Sequence, residues 1–183
     1  HRDLHSFPTR RSSDLYVHHV TSKFVVDLIA EAQAKGIKVY GETCPQYLLI
    51  DDSVYATEKG PFYVMNPPIR GKDSLERIWE GLAEGTIQTV GTDHCSYSIQ
   101  QKQQFSDKFN EIPAGVPGLE TMLSSVYTYG VETGRLSLED LVKVLCYNSA
   151  KIFGLYPKKG VINPGSDGED RKSTRLNSSH RIR

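Results

Sequence analysis

The feature that most constrains the fold is an alternation of short apolar runs and amphipathic stretches over residues 15–90. LYVHHV (residues 15–20) is typical of a short buried strand, and IKVYGET (residues 37–43) is typical of a second one. Between them, apolar residues recur at helical spacing at Phe24, Val25, Leu28, Ile29 and Ala32. Strand, helix and strand in this order form a βαβ unit, which predicts parallel strands.

The alternation then returns once more. A short extended piece at residues 63–66 precedes two prolines, and residues 86–90 read as another strand. The helix predicted between them has an apolar face formed by Leu75, Ile78, Trp79, Leu82 and Ala83. Thr21 or Ser22 is the expected cap of the first helix, and Asp73 or Ser74 that of the second. Gly36 and Gly85 are the expected stops.

The second half of the chain reads as mainly helical. Residues 98–113 are polar and predict a long surface loop. The helix predicted over residues 118–133 has an apolar face of Leu119, Met122, Leu123, Val126 and Tyr127. Ser137 and Asp140 have capping-box spacing before the next helix. A last short helix is expected over residues 148–153, with Gly154 as its stop.

The alternation of strands and helices places the chain in the α/β class, as a doubly wound sheet or as part of a (β/α)8 barrel. Both folds bind ligands beyond the carboxyl ends of their strands.

Composition limits the partners and the compartment. No apolar run approaches the roughly 18 residues of a membrane helix, so no membrane partner is expected. The three cysteines are far apart and form no CxxC pair, which is typical of a reducing, cytoplasmic setting. Residues 15–170 hold 14 basic and 20 acidic residues, a net charge of −6, and an acidic domain is a poor prospect for nucleic acid.

The two ends differ in composition from the rest. Residues 1–14 and 171–183 are rich in Ser and Arg and show neither helix nor strand periodicity. Both resemble translated sequencing-adapter DNA, so we expect them to be disordered and foreign to a domain that spans residues 15–170. That domain would then be an internal fragment of a longer protein. The alternative is a pair of natural basic tails.

The stretch TVGTDHC (residues 89–95) places polar side chains where a predicted strand ends. Asp93 has the chemistry of a cation ligand or a proton shuttle, and equally that of a turn cap. His18 and His19 are neighbours on a strand, so their side chains should point to opposite faces. Either one is a candidate ligand or a hydrogen-bonded structural residue, and spacing does not decide between them.

Other candidates carry weaker signals. His94 suits a partner of the site or plain packing. Cys95 suits a ligand or a nucleophile, although a buried reduced thiol is the favoured interpretation. Glu42 is a candidate ligand or hydrogen-bond acceptor beside Cys44. The glycines at 115 and 118 shape a turn and do not match a phosphate-binding loop.

Several stretches together resemble the cyclic-amide hydrolases, dihydropyrimidinase and D-hydantoinase, of the amidohydrolase superfamily. They are YVHHVTSK, KVYGETCPQYLL, YVMNPPIR, LAEGTIQTVGTDHC, IPAGVPGLETML and NSAKIFGLYPKKGVINPGSDG. The resemblance runs from Leu15 to Asp170 in unbroken order. It implies that this chain is the C-terminal part of a (β/α)8 TIM-type barrel with two divalent metal ions, zinc in the family, at the mouth.

The resemblance also implies site residues. His19 directly precedes Val-Thr-Ser and so matches one of the family's single metal-ligand histidines, whereas His18 should face away from the metals. Asp93 matches the metal-ligand aspartate of the last barrel strand. In the implied reaction, two cations make hydroxide available at neutral pH, and Asp93 carries its proton to the departing ring nitrogen. The product is an N-carbamoyl amino acid.

Two positions depart from the commonest family pattern. Asn66 stands where many relatives have serine before the two prolines, and Ala114 stands where many have asparagine. In the family these loops bind the ring amide largely through main-chain groups. We therefore expect both residues at a binding site for a cyclic amide, and the smaller Ala114 to admit a bulkier ring substituent.

The family's His-x-His pair and metal-bridging lysine do not occur in this chain. We therefore expect it to be inactive alone and prone to aggregate, and the parent protein to form the family's homotetramer. An alternative is a non-enzymatic relative of dihydropyrimidinase, such as the collapsin response mediator proteins. Allantoinase or dihydroorotase activity is a further alternative, which the GETCPQYL and VMNPP stretches disfavour.

Overall fold

Three short strands form a parallel sheet in the computed structural model, which describes residues 15–105 and 107–167. The strands are β1 (Leu15–Val17), β2 (Val39–Thr43) and β3 (Thr89–Val90), in the spatial order β1-β2-β3. The parallel pairing predicted from the βαβ pattern is confirmed, although each strand is shorter than expected. The end segments expected to be disordered, residues 1–14 and 171–183, lie outside the described residues.

Helices connect the strands, and helices are the main regular elements after β3 in the described residues. They are α1 (Lys23–Ala34), α2 (Pro45–Leu49), α3 (Lys72–Glu84), α4 (Ile99–Gln103), α5 (Met122–Val126), α6 (Leu138–Val142) and α7 (Asn148–Ile152). Single π-helical turns extend α5 over Tyr127–Val131 and join α6 to α7 over Lys143–Tyr147. Short 3₁₀ turns occur at Asp52–Ala56, Gly60–Tyr63 and Phe109–Glu111. Within the described ranges, no helix combines the length and the apolar character needed to cross a bilayer.

The two faces of β2 have different neighbours. A Cβ atom added at Gly41 would lie 2.6 Å from Ile87 Cδ1, just before β3, and 3.1 Å from Ile29 Cδ1 on α1, so the glycine lets this strand pack closely against both. Residues alternate along a strand, so Tyr40 and Glu42 face the opposite side. The hydrophobic core therefore lies between the sheet and the helices, and Glu42 lies on the other face.

The helical periods were predicted correctly, but the buried faces were only partly right. On α1 the buried residues are Val26 and Ile29, whereas Phe24 and Leu28 are 68% and 63% exposed. On α5 Val126 is buried, whereas the predicted face residues Leu119, Leu123 and Tyr127 are exposed. Each helix has two apolar stripes, and only one of them packs against the described core.

Most of the predicted helix ends are confirmed. Gly36 and Gly85 adopt the left-handed conformation that ends a helix. Ser137 and Asp140 form the reciprocal capping box at the start of α6. The cap of α3 is a correction, because Gly71 takes that position and Asp73 instead accepts a bond from the backbone N–H of Ser74. The predicted loop at residues 98–113 contains α4 and a 3₁₀ turn.

Candidate active site

The carboxyl ends of the three strands meet at one edge of the sheet because the strands are parallel. His19 lies two residues beyond β1, Cys44 directly follows β2, and Asp93 lies three residues beyond β3. Neighbouring strands in a sheet are about 5 Å apart, so the ends of β1 and β3 are separated by the width of β2. The sequence prediction that His19 and Asp93 lie at strand ends on one edge agrees with this arrangement.

Backbone hydrogen bonds keep the segments that follow the outer strands attached to the end of β2. The N–H of Val20 donates to the carbonyl oxygen of Glu42 at 2.7 Å, and the N–H of Gly91 donates to that of Thr43 at 2.9 Å. The Thr43 hydroxyl also donates to the Val20 carbonyl at 2.8 Å. The residues just past β1 and β3 are thus positioned by β2.

His19 and Asp93 share a backbone conformation. Their φ angles are 39° and 45°, and they are the two non-glycine residues with positive φ in the described part of the chain. This left-handed conformation costs about 1 kcal/mol or more in a residue with a Cβ atom. The prediction that His18 and His19 are neighbours on a strand is wrong, because β1 ends at Val17 and both histidines lie beyond it.

His18 belongs to a polar cluster around Glu42. The Nδ1 atom of His18 lies 3.2 Å from Glu42 Oε1, and the Tyr16 hydroxyl donates to Glu42 Oε2 at 2.9 Å. The same hydroxyl lies 2.6 Å from the Thr89 hydroxyl on β3. Glu42 is therefore a hydrogen-bond acceptor, one of the two roles left open from the sequence, and its carboxylate links β1 to β2.

This cluster changes the acidity of Tyr16. Burial is the largest cause and raises the pKa of Tyr16 from 10.0 to about 12, since it disfavours the charged phenolate. The hydrogen bond with Thr89 acts in the opposite direction, whereas the bond to Glu42 and its negative charge raise the pKa further.

The carboxylate of Asp93 acts on two groups at the end of β2. The pKa of the Cys44 thiol is raised, chiefly by burial and then by the charge of Asp93. The pKa of Tyr47 is raised, again chiefly by burial, with a smaller contribution from Asp93. Cys44 is consequently a protonated, buried thiol, which is a poor nucleophile.

The two residues after Asp93 have structural surroundings. The Nδ1 atom of His94 accepts hydrogen bonds at 3.2 Å from the backbone N–H groups of Gly118 and Leu119, so His94 holds the chain that leads into α5. The interpretation of Cys95 as a buried thiol is wrong. Its side chain is exposed, with Sγ 3.6 Å from the Tyr97 hydroxyl oxygen, because the chain runs along the surface once it leaves the sheet.

The two residues predicted to bind substrate lie together. Asn66 and Ala114 line one cavity of about 560 Å³, together with Tyr55, Met65, Phe109 and Ile112. The N–H of Gly115 donates to the Val64 carbonyl at 3.0 Å and so joins the two loops that carry them. His19 and Asp93 do not line this cavity, so the structure brings together Asn66 and Ala114 but not all four predicted site residues.

Sequence reasoning missed Lys102, which is only 4% exposed. Its ammonium group donates at 2.9 Å to the carbonyl oxygens of Phe62 and Val64. A signal for its helix was present, because Ser98 and Gln101 have capping-box spacing and form both bonds of that motif.

Two of the predicted metal ligands, His19 and Asp93, have side chains that suit zinc. Imidazole nitrogen and carboxylate oxygen are ligands that zinc accepts, and His19 and Asp93 offer one of each. Within residues 15–105 and 107–167, no three His, Cys, Asp or Glu side chains are grouped so that they could hold a metal ion. A catalytic zinc has three protein ligands, so the described residues do not hold one by themselves.

The chain is similar in sequence to known proteins of one family. The profile of the Amidohydrolase family matches residues 5–168. The chain is 40% identical over 159 residues to the D-phenylhydantoinase of Escherichia coli O1:K1 / APEC, an alignment that covers 86% of this chain and 34% of that protein.

Two solved structures share the fold. A D-hydantoinase from Bacillus sp. AR9 superposes with a TM-score of 0.83 at 45% identity, covering 85% of this chain and 35% of that one. A dihydropyrimidinase from Brevibacillus agri NCHU1002 also gives 0.83, at 41% identity, covering 85% and 34%. The prediction of an α/β chain that forms part of a (β/α)8 barrel is confirmed, and the chain spans about a third of the length of these relatives.

Proposed function

This chain belongs to the Amidohydrolase family, and from that premise we propose that the complete protein is a hydrolase that opens cyclic amide rings. The observation that carries the proposal is the 40% identity to a D-phenylhydantoinase across 86% of this chain. The placement of His19 and Asp93 supports it, because both follow strands at the carboxyl edge of the sheet, where barrel enzymes have their active sites.

In this proposal Asp93 is the acid–base group. Its carboxylate takes a proton from the attacking water and returns it to the ring nitrogen as the amide C–N bond breaks. The substrate is a dihydropyrimidine or hydantoin, and the product is an N-carbamoyl amino acid. The left-handed backbone of Asp93 supports the role, since strained conformations persist chiefly where a function requires them.

We also propose divalent metal ions as cofactors, two zinc ions in particular, with His19 and Asp93 as ligands. The remaining ligands must come from outside the described residues, because these do not form a three-ligand group.

We propose a homotetramer and a cytoplasmic location for the complete protein. Family resemblance supports the homotetramer, and the free, separated cysteines support the location. We likewise propose that the domain spans residues 15–170 and that residues 1–14 and 171–183 do not belong to it.

Asn66 and Ala114 are proposed to lie in the loops that bind the ring. Their shared cavity supports this, since it brings together two positions 48 residues apart in sequence. If Ala114 leaves room for a ring substituent, the Ala114→Asn variant should lose activity on bulky 5-substituted hydantoins and retain it on hydantoin itself. Unchanged selectivity between the two substrates would remove Ala114 from the specificity determinants.

The deciding experiment begins by reading the source DNA outward past both ends of this coding segment. The protein encoded by the complete reading frame is then assayed for opening of hydantoin and dihydrouracil, with Asp93→Asn as the matched variant. We expect a metal-dependent activity that falls by at least about a hundredfold in the variant, in keeping with the loss of a general acid–base group. A complete protein that lacks the His-x-His pair and the lysine, and that opens neither ring, would support a non-enzymatic assembly or binding role.

A further inference from the structure

Lys102 is a buried, charged side chain whose hydrogen-bond acceptors are two backbone carbonyl oxygens. It lies on α4, a five-residue helix held by the capping box of Ser98 and Gln101. Its ammonium group is buried, and two backbone carbonyls accept its hydrogen bonds. No carboxylate forms an ion pair with Lys102 in the described ranges of the chain. Burial of the ammonium lowers the pKa of Lys102, so the charged form is held at a cost.

One of the two acceptors of Lys102 belongs to a residue of the cavity wall. Val64 lines the cavity and lies two residues before Asn66. The Val64 carbonyl oxygen accepts two bonds, one from Lys102 Nζ at 2.9 Å and one from the Gly115 N–H at 3.0 Å. Gly115 directly follows Ala114. A single oxygen thus joins the loop of Asn66, the loop of Ala114 and helix α4.

We infer that Lys102 is a positioning residue for ring binding: through the Val64 carbonyl it fixes the relative position of the Asn66 and Ala114 loops. This inference rests on the proposed function, because that proposal identifies the two loops as the binding site of the cyclic amide. Lys102 acts through other residues and is not assigned a contact with substrate. Because Lys102 acts on the main-chain geometry of the two loops, its replacement should weaken the binding of every ring substrate to the same degree. Replacement of Ala114 should instead change the selectivity between substrates.

Two measurements test the inference, with Lys102→Met as the main variant. The first is amide hydrogen exchange on this 183-residue chain. We expect exchange at the Gly115 amide to accelerate by about tenfold, the usual effect of losing a hydrogen bond to a charged group. Exchange in α3 should stay unchanged. Lys108→Met is the matched control, because Lys108 is in the same polar stretch, is exposed, and forms a surface ion pair with Glu111.

The second measurement is ring opening by the protein of the complete reading frame. In Lys102→Met we expect KM to rise by about tenfold for hydantoin and by the same factor for a 5-substituted hydantoin, with kcat within about twofold. Lys102→Arg, which keeps charged donors, should recover part of the loss. Lys102→Gln, which keeps amide donors on a shorter side chain, replaces the Met variant if that variant does not fold.

The outcomes separate the two proposals. An inactive wild-type protein overturns the proposed function. An active wild-type protein whose KM is unchanged in the Lys102 variants overturns only the positioning role. A loss confined to kcat also overturns it, as does exchange that accelerates equally at Gly115 and in α3, since that pattern reports general destabilisation.

Discussion

At the scale of single residues, the left-handed conformations of His19 and Asp93 allow a direct test of stored strain. Glycine adopts positive φ freely, whereas alanine does not. We therefore expect the free energy of unfolding of His19→Gly to be larger than that of His19→Ala by about 1 kcal/mol. The same difference is expected between Asp93→Gly and Asp93→Ala. Urea unfolding of the four variants measures the two differences.

The neighbouring residue provides the control. His18 does not have positive φ, so there the glycine variant should be less stable than the alanine variant, by roughly 0.5 kcal/mol. A sign reversal between positions 18 and 19 supports strain at His19. The same sign at both positions would show that the backbone at His19 relaxes without cost.

A second prediction at this scale concerns alkaline pH. The folded-state pKa of Tyr16 is about 12 and its ordinary value is 10.0, so folding favours the protonated phenol. The associated stabilisation is fully present below pH 10 and is lost as the pH rises from 10 towards 12. Over this range the free energy of unfolding should fall more steeply in the wild-type chain than in Tyr16→Phe. Equal slopes would contradict the pKa shift.

The chemical types of the site residues could be predicted from sequence, but their partners could not. Asp93 and His19 were identified at strand ends because the strand pattern and family resemblance reach those positions. The surroundings of Glu42, Cys95 and Lys102 depend on contacts between segments that are distant in sequence. The Lys102 contacts, for example, join residues 38 and 40 positions apart. No local pattern encodes such pairs.

At the scale of secondary structure elements, the capping box of α6 should contribute measurably to stability. The backbone N–H of Asp140 donates to the Ser137 hydroxyl at 3.0 Å, which satisfies one free donor of the first turn. Ser137→Ala should lower the free energy of unfolding by about 1 kcal/mol. Ser124→Ala on α5 is the control, since Ser124 is exposed and caps no helix, and its effect should be within about 0.5 kcal/mol. Equal losses at both positions would contradict a capping role.

The ends of the helices were easier to predict from the sequence than the faces that the helices bury. Helix stops at glycine and the capping box at Ser137 are local signals, and the structure agrees with them. The inward face of a helix depends on what covers it. α1 has apolar residues on two stripes, and sequence period alone gives no means of choosing between Phe24 with Leu28 and Val26 with Ile29.

At the scale of the whole molecule, the described chain exposes surfaces that usually make contacts. The outer strands β1 and β3 each pair only with β2 among the described residues, so each presents one unpaired edge. Large apolar side chains are also exposed, including Phe24 and Leu28 one turn apart on α1. The parallel sheet and its order follow from the βα alternation, but the extent of this exposed surface became evident only from the three-dimensional packing.

This exposure predicts self-association, and α1 offers the clearest test. The double variant Phe24→Glu with Leu28→Lys removes two exposed apolar side chains and leaves Val26 and Ile29 in the core. It should shift the chain towards monomer in sedimentation velocity, while the free energy of unfolding stays within about 1 kcal/mol, because substitutions at exposed positions usually have small effects. Ala34→Glu adds charge to the same helix without removing a large apolar group, and we expect it to leave association unchanged. The double variant leaves the net charge of the chain unchanged, because the added Glu and Lys cancel. If Ala34→Glu reduces association as much as the double variant, loss of the two apolar side chains is not the cause, and the exposed face of α1 is not the surface through which copies associate.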